Sequence, residues 1–473
     1  MGAIPSRVPM LTPVPCESEI LALTPTAPRR RRRCADPNGA RSRFLCGEKR
    51  TRLRHAGENS CLRAAKISAY DESHMKNDAP RAIDLFCGCG GLSSGLRWAG
   101  FRVLAGVDVE PNYICTYAHN FGREAALTLD LSKTDPLAFA ARFGLKPGEL
   151  ELLVGGPPCQ GFSKNVPRKH RYLDSANNSL VKTFLDYAEA IRPQYVLMEN
   201  VAEMKNGFDQ AYSAEVISRL ENAGYAVAHA VLNAADYGVP QRRRRAFFLA
   251  SRSRRMPRFP MPTHAASPPH DQLFTLQPHV AVWEAIGDLP SVPHDGGSSR
   301  MAYASEPQSA FQRMMRNGHQ DVSNQKPRKL QPTQYERLAS LKPGEGLKQL
   351  PEHIRPRCGY SGAYGRLTED MVAPTITRWV FHPGSGRWGH PRDIRVLTIR
   401  EAARIQGFPD DFEFVGTYND QAGQVGNAVP PLLARRVGEE ICNQLAESWR
   451  SSNAMSSASE SRSEGAGRVN VIS

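Results

Sequence analysis

The sequence lacks any run of roughly 18 to 20 apolar residues, the length that a membrane-spanning helix requires, although hydrophobic residues fill 40% of its 473 positions. Its first 30 residues lack an apolar core behind a basic start, so neither membrane insertion nor secretion is expected. Ten cysteines stand at uneven spacings that do not suit a disulfide framework, and reduced thiols in a soluble, cytoplasmic protein follow. Cys87 and Cys89 form a C-x-C pair, but no second pair at metal-ligand spacing accompanies them, so no metal is expected. The glycine spacing after Asp84 is wrong for a dinucleotide fingerprint, which excludes a nicotinamide-dependent dehydrogenase.

What is present is length enough for one large domain and a second, smaller one. The net charge of +14 is unevenly spread: residues 1–80 hold 12 Arg and 3 Lys against 8 Asp and Glu, half of the excess. Residues 1–79 show no helical or strand periodicity, include the run Arg29 to Arg33, and read as a disordered basic extension. A solvated tail is the plain reading; an arm on nucleic acid and a localisation signal are the others. Met75, just before the first strand, is an alternative initiator.

From Arg81 short apolar runs alternate with helical stretches, the pattern of βαβ units and a parallel sheet, giving an α/β fold. Strands are expected at Arg81 to Phe86, Val103 to Asp108, Ala126 to Asp130, Leu150 to Val154 and Tyr195 to Glu199, with Phe247 to Ala250 closing the series. Helices are expected at Leu92 to Ala99 and Leu180 to Ile191. Residues 80–250 thus read as the first part of a catalytic domain. Residues 251–390 break the rhythm with Pro, Gly, His and Arg and form a separate region. The α/β texture resumes over 391–450, with a helix from Arg400 to Gln406 ended by Gly407 and another from Pro431 to Ala446. A Ser-rich, disordered tail fills 451–473.

Chemistry concentrates at the strand ends. DLFCGCGGL (84–92) is a strand opening through glycines into a helix, a place where backbone can approach a ligand. Asp108 and Asp130 end the next two strands and add acceptors in register. In GGPPCQGFS (155–163) two glycines and two prolines present the thiol of Cys159 from a rigid base at the sheet's carboxyl edge. Arg243 and Arg245 alternate along a strand and should share one side of the sheet, leaving Arg242 and Arg244 to solvent or phosphates.

Taken with Glu199-Asn200-Val201, QRRRR (241–245), RVLTIREAARIQGFPDDF (395–412) and QVGNAVP (424–430), these motifs resemble the DNA cytosine-5 methyltransferases of bacterial restriction-modification or orphan type, in order from Asp84 to about Leu432. The resemblance implies a Rossmann-like, S-adenosylmethionine-dependent methyltransferase sheet with a smaller target-recognition domain. It implies Cys159 as nucleophile, Glu199 on the cytosine's amine and ring nitrogen 3, Arg245 on its carbonyl oxygen, and Arg243 in support. For the methyl donor it implies Phe86 against the adenine, Gly88, Gly90 and Gly91 at the methionine end, Asp108 on the ribose, Asp130 on the adenine amine, and Pro158, Asn427 and Val429 completing the pocket. Val109 departs from the aromatic residue of many relatives.

A base inside a duplex cannot reach Cys159, so the target must flip out, and the basic segment Lys164 to Asn178 is placed to close on DNA. Sequence choice is expected in residues 251–390, with Arg366, Arg378 and Arg387 as candidates for guanine contacts. The implied partners are double-stranded DNA and a cognate restriction endonuclease encoded nearby, with the enzyme monomeric and nucleoid-associated. The competing readings are a tRNA cytosine-5 methyltransferase, whose marker motif is not seen, and a catalytically silent DNA-binding regulator, against which intact Cys159, Glu199 and Arg245 argue.

Overall fold

The structure, a computed structural model, describes residues 79–465 apart from 159–178, 207–210, 254, 269–275, 358 and 360–361. Seven strands, β1 (Arg81–Leu85), β2 (Arg102–Asp108), β3 (Ala126–Thr128), β4 (Leu152–Gly155), β5 (Tyr195–Val201), β6 (Ala226–Asn233) and β7 (Arg244–Ser251), make one sheet in the order β3-β2-β1-β4-β5-β7-β6. The first five run parallel, while β7 is antiparallel to both β5 and β6. Chain order reverses between β1 and β4, and in such sheets the crevice at that switch point, beyond the strands' carboxyl ends, is where ligands bind.

Period-two alternation puts successive side chains on opposite faces, and both faces are apolar. On β7, Phe247 and Leu249 join one apolar cluster, while Ala246, Phe248 and Ala250 join the other. β5 does the same with Tyr195 and Leu197 against Val196 and Met198. Helices therefore cover both sides: α1 (Gly91–Trp98), α2 (Pro111–Phe121), α3 (Pro136–Ala141), α4 (Ser179–Ile191), α5 (Glu203–Asn206) and α6 (Ala211–Asn222) alternate with the strands. Two departures from expectation stand out. β6 was not expected: it is the sheet's edge, and AVAHAVLN buries only part of its length. The third strand ends at Thr128, because Asp130 instead caps the turn Leu131–Lys133.

Among the described residues of 252–390 are three short α-helices, α7 (Val282–Ile286), α8 (Ala310–Arg316) and α9 (Pro332–Ala339), with pairs of two-residue strands. One apolar cluster runs from Ala82 and Phe247 in the sheet through Val282, Phe311, Leu330 and Trp388. α10 (Ile399–Gln406) opens with a capping box, Thr398 Oγ1 accepting from Glu401 N at 3.1 Å and Glu401 Oε2 from Thr398 N at 2.9 Å. It ends at Gly407, whose φ of 85° only glycine adopts readily. α11 (Tyr418–Asn427) and α12 (Pro431–Gly465) follow, the last extending past the expected Ala446.

All eight residues of α10 are buried, its arginines included. Arg404 pairs with Asp410 at 2.5 Å and Asp288 at 3.1 Å, and Arg316 reaches the same Asp288 at 2.6 Å. Arg395 grips Glu401 at 2.7 Å and Asp393 at 2.8 Å. Burial alone would raise the Glu401 carboxyl; Arg395 overrides it and draws the group down to about 2. Removing one partner of such a network strands buried charge, so Arg404→Ala should destabilise the fold by about 3–5 kcal/mol, read as a lowered denaturant midpoint.

Candidate active site

The turn after β1 is held in unusual backbone. Phe86, Gly88 and Gly90 all have positive φ, at 58°, 55° and 99°, and a non-glycine residue there is a strained one. Cys87 N donates to Val107 O at 3.0 Å and Gly88 N to Asp108 Oδ2 at 2.9 Å, tying the turn to the end of β2. Gly90 stands at the start of α1 in left-handed backbone and, having no side chain, makes no capping hydrogen bond of its own. A Cβ on Gly91 would stand 2.4 Å from Val429 O, and this close approach brings the chain's far end onto the turn.

Asp108 also accepts from Glu110 N at 3.0 Å. Burial raises its carboxyl, and the N–H groups of Glu110, Gly88 and Val109 oppose that shift. Asp84, fully buried beneath the turn, accepts from Ser93 Oγ at 2.7 Å through one oxygen while the other has no partner. Burial pushes it up to about 7. Leu129 N donates to Asp108 O at 3.0 Å, so Asp130 stands close by, but its carboxylate is engaged. It accepts from Ser132 Oγ at 2.6 Å and pairs with Lys133 at 2.7 Å, and Lys133 first of all draws it down to about 2. Val109 is 57% exposed. Asn427 Nδ2 donates to Tyr113 Oη at 3.2 Å.

Across the switch point, β5 and β7 set Val201 opposite Arg245. Glu199 Oε1 meets Arg245 Nε at 2.9 Å, both side chains largely buried. Burial raises the Glu199 carboxyl, and Arg245 and then Arg243 pull it back. Arg243 is buried and donates to Ile376 O at 2.9 Å and Gly426 O at 3.0 Å. Arg242 and Arg244 are exposed, as the alternation requires. A Cβ on Gly156 would lie 3.2 Å from Glu199 Oε2, and Asn200 Nδ2 donates to Pro157 O at 3.1 Å. The Gly-Gly-Pro-Pro segment therefore passes beside Glu199, with Pro158 exposed at its end. Cys159 and the basic segment Lys164 to Asn178 lie outside the described residues.

Of the arginines proposed for base contacts, Arg366 is engaged elsewhere. Arg366 is buried and donates to the carbonyls of Leu341 at 2.9 Å, His390 at 3.2 Å and Pro391 and Arg392 at 3.0 Å each. Arg387 donates to the carbonyls of Gly344 at 2.7 Å and of Glu345 and Arg366. Arg366 thus commits all three of its nitrogens to backbone oxygens, whereas among the described residues Arg387 makes its contacts through Nη1 alone and keeps its Nε and Nη2 donors for a base edge. Arg378 is exposed, its guanidinium 5.3 Å from the Trp379 ring, itself 52% exposed. Sequence reasoning missed the anchoring roles of Gln241 and Asn200. Buried Gln241 accepts from Ile376 N at 2.6 Å; its sequence signal was a lone amide leading a basic run. Among the described residues no group of three or more His, Cys, Asp or Glu could hold a metal ion, and no helix is long and apolar enough to cross a membrane.

The family model described as C-5 cytosine-specific DNA methylase matches residues 81–443. The type II methyltransferase M.AgeI of Thalassovita gelatinovora is 31% identical over 428 residues, covering 76% of this chain and 99% of the relative. The type II methyltransferase M1.HphI of Haemophilus parahaemolyticus is 33% identical over 362 residues, covering 76% of this chain and 86% of the relative. Among solved structures, a DNA modification methyltransferase encoded within an E. coli prophage aligns with a TM-score of 0.62 at 26% identity, covering 78% of this chain and 100% of that one.

Asp84 carries a testable consequence. Its folded-state pKa lies above the unfolded value, so the contribution to stability is full at acid pH and is lost as pH climbs from about 4 to about 7. Over that window the wild type should lose stability relative to Asp84→Asn, as denaturant titrations along a pH series would show. A difference that stays constant across the series would contradict a protonated, buried Asp84.

Proposed function

Because the chain belongs to the C-5 cytosine-specific DNA methylase family, and is a DNA (cytosine-5-)-methyltransferase by that membership, we propose that it methylates a flipped-out cytosine within a specific duplex sequence through a covalent Cys159 adduct. The observation that carries this reading is the Glu199–Arg245 pair at 2.9 Å, beside the Gly-Gly-Pro-Pro segment that leads to Cys159.

Carbon 5 of cytosine is too weak a nucleophile to take a methyl group unaided. The Cys159 thiolate adds to carbon 6, breaking the 5–6 double bond and placing electron density on carbon 5. Glu199 bonds the exocyclic amine and nitrogen 3. Its burial-raised carboxyl suits sharing a proton with that nitrogen as negative charge builds in the ring. Arg245 takes the carbonyl oxygen while still oriented by Glu199, and Arg243 holds the surrounding backbone. Once carbon 5 carries the methyl group as well as its hydrogen, loss of that proton to a base restores the 5–6 double bond and expels the Cys159 thiolate.

S-adenosylmethionine, when bound, supplies an electrophilic methyl group. The residues fit it: Gly88, at positive φ, leaves room over the turn, where a Cβ would come no nearer than 3.8 Å to another described side chain. Phe86, Gly88, Gly90, Gly91, Asp108, Pro158, Asn427 and Val429 would hold it. Asp130, bonded to Ser132 and Lys133, would meet the adenine amine only as an already engaged acceptor.

Residues 251–390 serve as the target-recognition domain, with Arg378 and Trp379 facing outward. The type II names of the relatives support a role in restriction-modification, opposite a cognate endonuclease encoded nearby, on nucleoid DNA in a bacterial cytoplasm. Purified protein should transfer labelled methyl groups to duplex DNA. Cys159→Ser should abolish transfer, and Glu199→Gln should slow it by about 10²–10³-fold. Labelling of tRNA alone, or equal labelling by the serine variant, would overturn the reading. Bisulfite sequencing of DNA from expressing cells would report the target.

A further inference from the structure

Tyr113 occupies a position that the mechanism leaves unused. It projects from the first turn of α2, and among the described residues its ring is the only neighbour within 4 Å that a Cβ on Gly88 would meet, at 3.8 Å. Its phenol oxygen accepts from Asn427 Nδ2 at 3.2 Å. α11 is cut away to admit it, since a Cβ on Gly423 would stand 2.7 Å from Tyr113 Oη. Tyr113 therefore spans the gap between the glycine turn near the start of the domain and Asn427 near its end.

A tether between helices would be the plain explanation, but the helices are joined without it. Thr116 Oγ1 donates to Gln424 Oε1 at 2.9 Å, and Gln424 Nε2 donates to Asn112 O at 3.0 Å. With Asn427 as donor, the phenol hydrogen has no acceptor among the described residues. A half-buried phenol with an uncommitted O–H, beside a glycine turn, suits an anionic oxygen.

We propose that Tyr113 is a donor-binding residue whose ring walls the methionine end of the S-adenosylmethionine pocket and whose phenol O–H donates to the methionine carboxylate. This rests on the glycine turn being the donor's pocket, as read above. The test is equilibrium binding by calorimetry, on the full chain, of S-adenosylhomocysteine and of 5′-methylthioadenosine, which keeps the nucleoside and thioether but lacks the amino-acid end. Tyr113→Phe, which keeps the ring, should weaken S-adenosylhomocysteine by about fivefold and leave 5′-methylthioadenosine unchanged. Tyr113→Ala should weaken S-adenosylhomocysteine by a further several-fold with its melting transition intact. Unaltered binding of S-adenosylhomocysteine by the phenylalanine variant, or equal loss for both ligands, would overturn the assignment. A wild-type chain that binds neither ligand would instead overturn the pocket itself, and the assignment with it.

Discussion

One buried guanidinium, that of Arg243, fastens three distant stretches of chain at the mouth of the crevice. Its two terminal nitrogens hold the carbonyls of Ile376 and Gly426, while its own backbone leads directly into β7. Burial works against its charge, and neighbouring Arg245 adds to that; the Glu199 carboxylate is the compensating partner. Much follows from this one cation. β7 carries Arg245 to Glu199, Gly426 precedes Asn427, and Ile376 precedes Arg378 and Trp379. Base pocket, donor pocket and outward recognition surface are thereby indexed to a single point, with Gln241 adding a second fastening to Ile376.

A second buried network anchors residues 252–390 to the sheet domain. Asp288 receives Arg316 from α8 and Arg404 from α10, while Arg400 donates to Ser323 O at 3.0 Å and Phe412 O at 2.6 Å. Desolvating so many charges gains little net stability, but it forbids alternatives: a helix placed elsewhere would leave them unpaired. The base of the recognition region is thus rigidly registered. The same region presents Arg378 and Trp379 to solvent.

Legibility in the sequence tracked burial pattern. β1, β4 and β5 are covered on both faces and centre on short apolar runs, and the glycine turn and α10's stop at Gly407 have local backbone causes visible in composition. β6 was hidden because an edge strand is only half covered, and His229 and its alanines blur the alternation. Arg366 was misjudged for a different reason: nothing in local sequence tells whether a guanidinium faces solvent or a cage of carbonyls formed by residues about 25 positions away. The Glu199–Arg245 contact was foreseeable only through strand pairing, which sets Val201 opposite Arg245. Tyr113 carried no motif at all, since its meaning lies in Gly423 and Asn427, about 300 residues downstream.

That long reach has a temporal side. The turn at Gly88 to Gly91 is translated early, yet the backbone that closes over it, Ala428 and Val429, emerges after more than 330 further residues. Contacts of such separation form late in folding, because the intervening chain must first be ordered. A chain whose synthesis has reached only residues 251–390 therefore carries an uncovered glycine turn rather than a pocket, and a truncated chain ending before α11 is born without the wall that its glycines were shaped to meet.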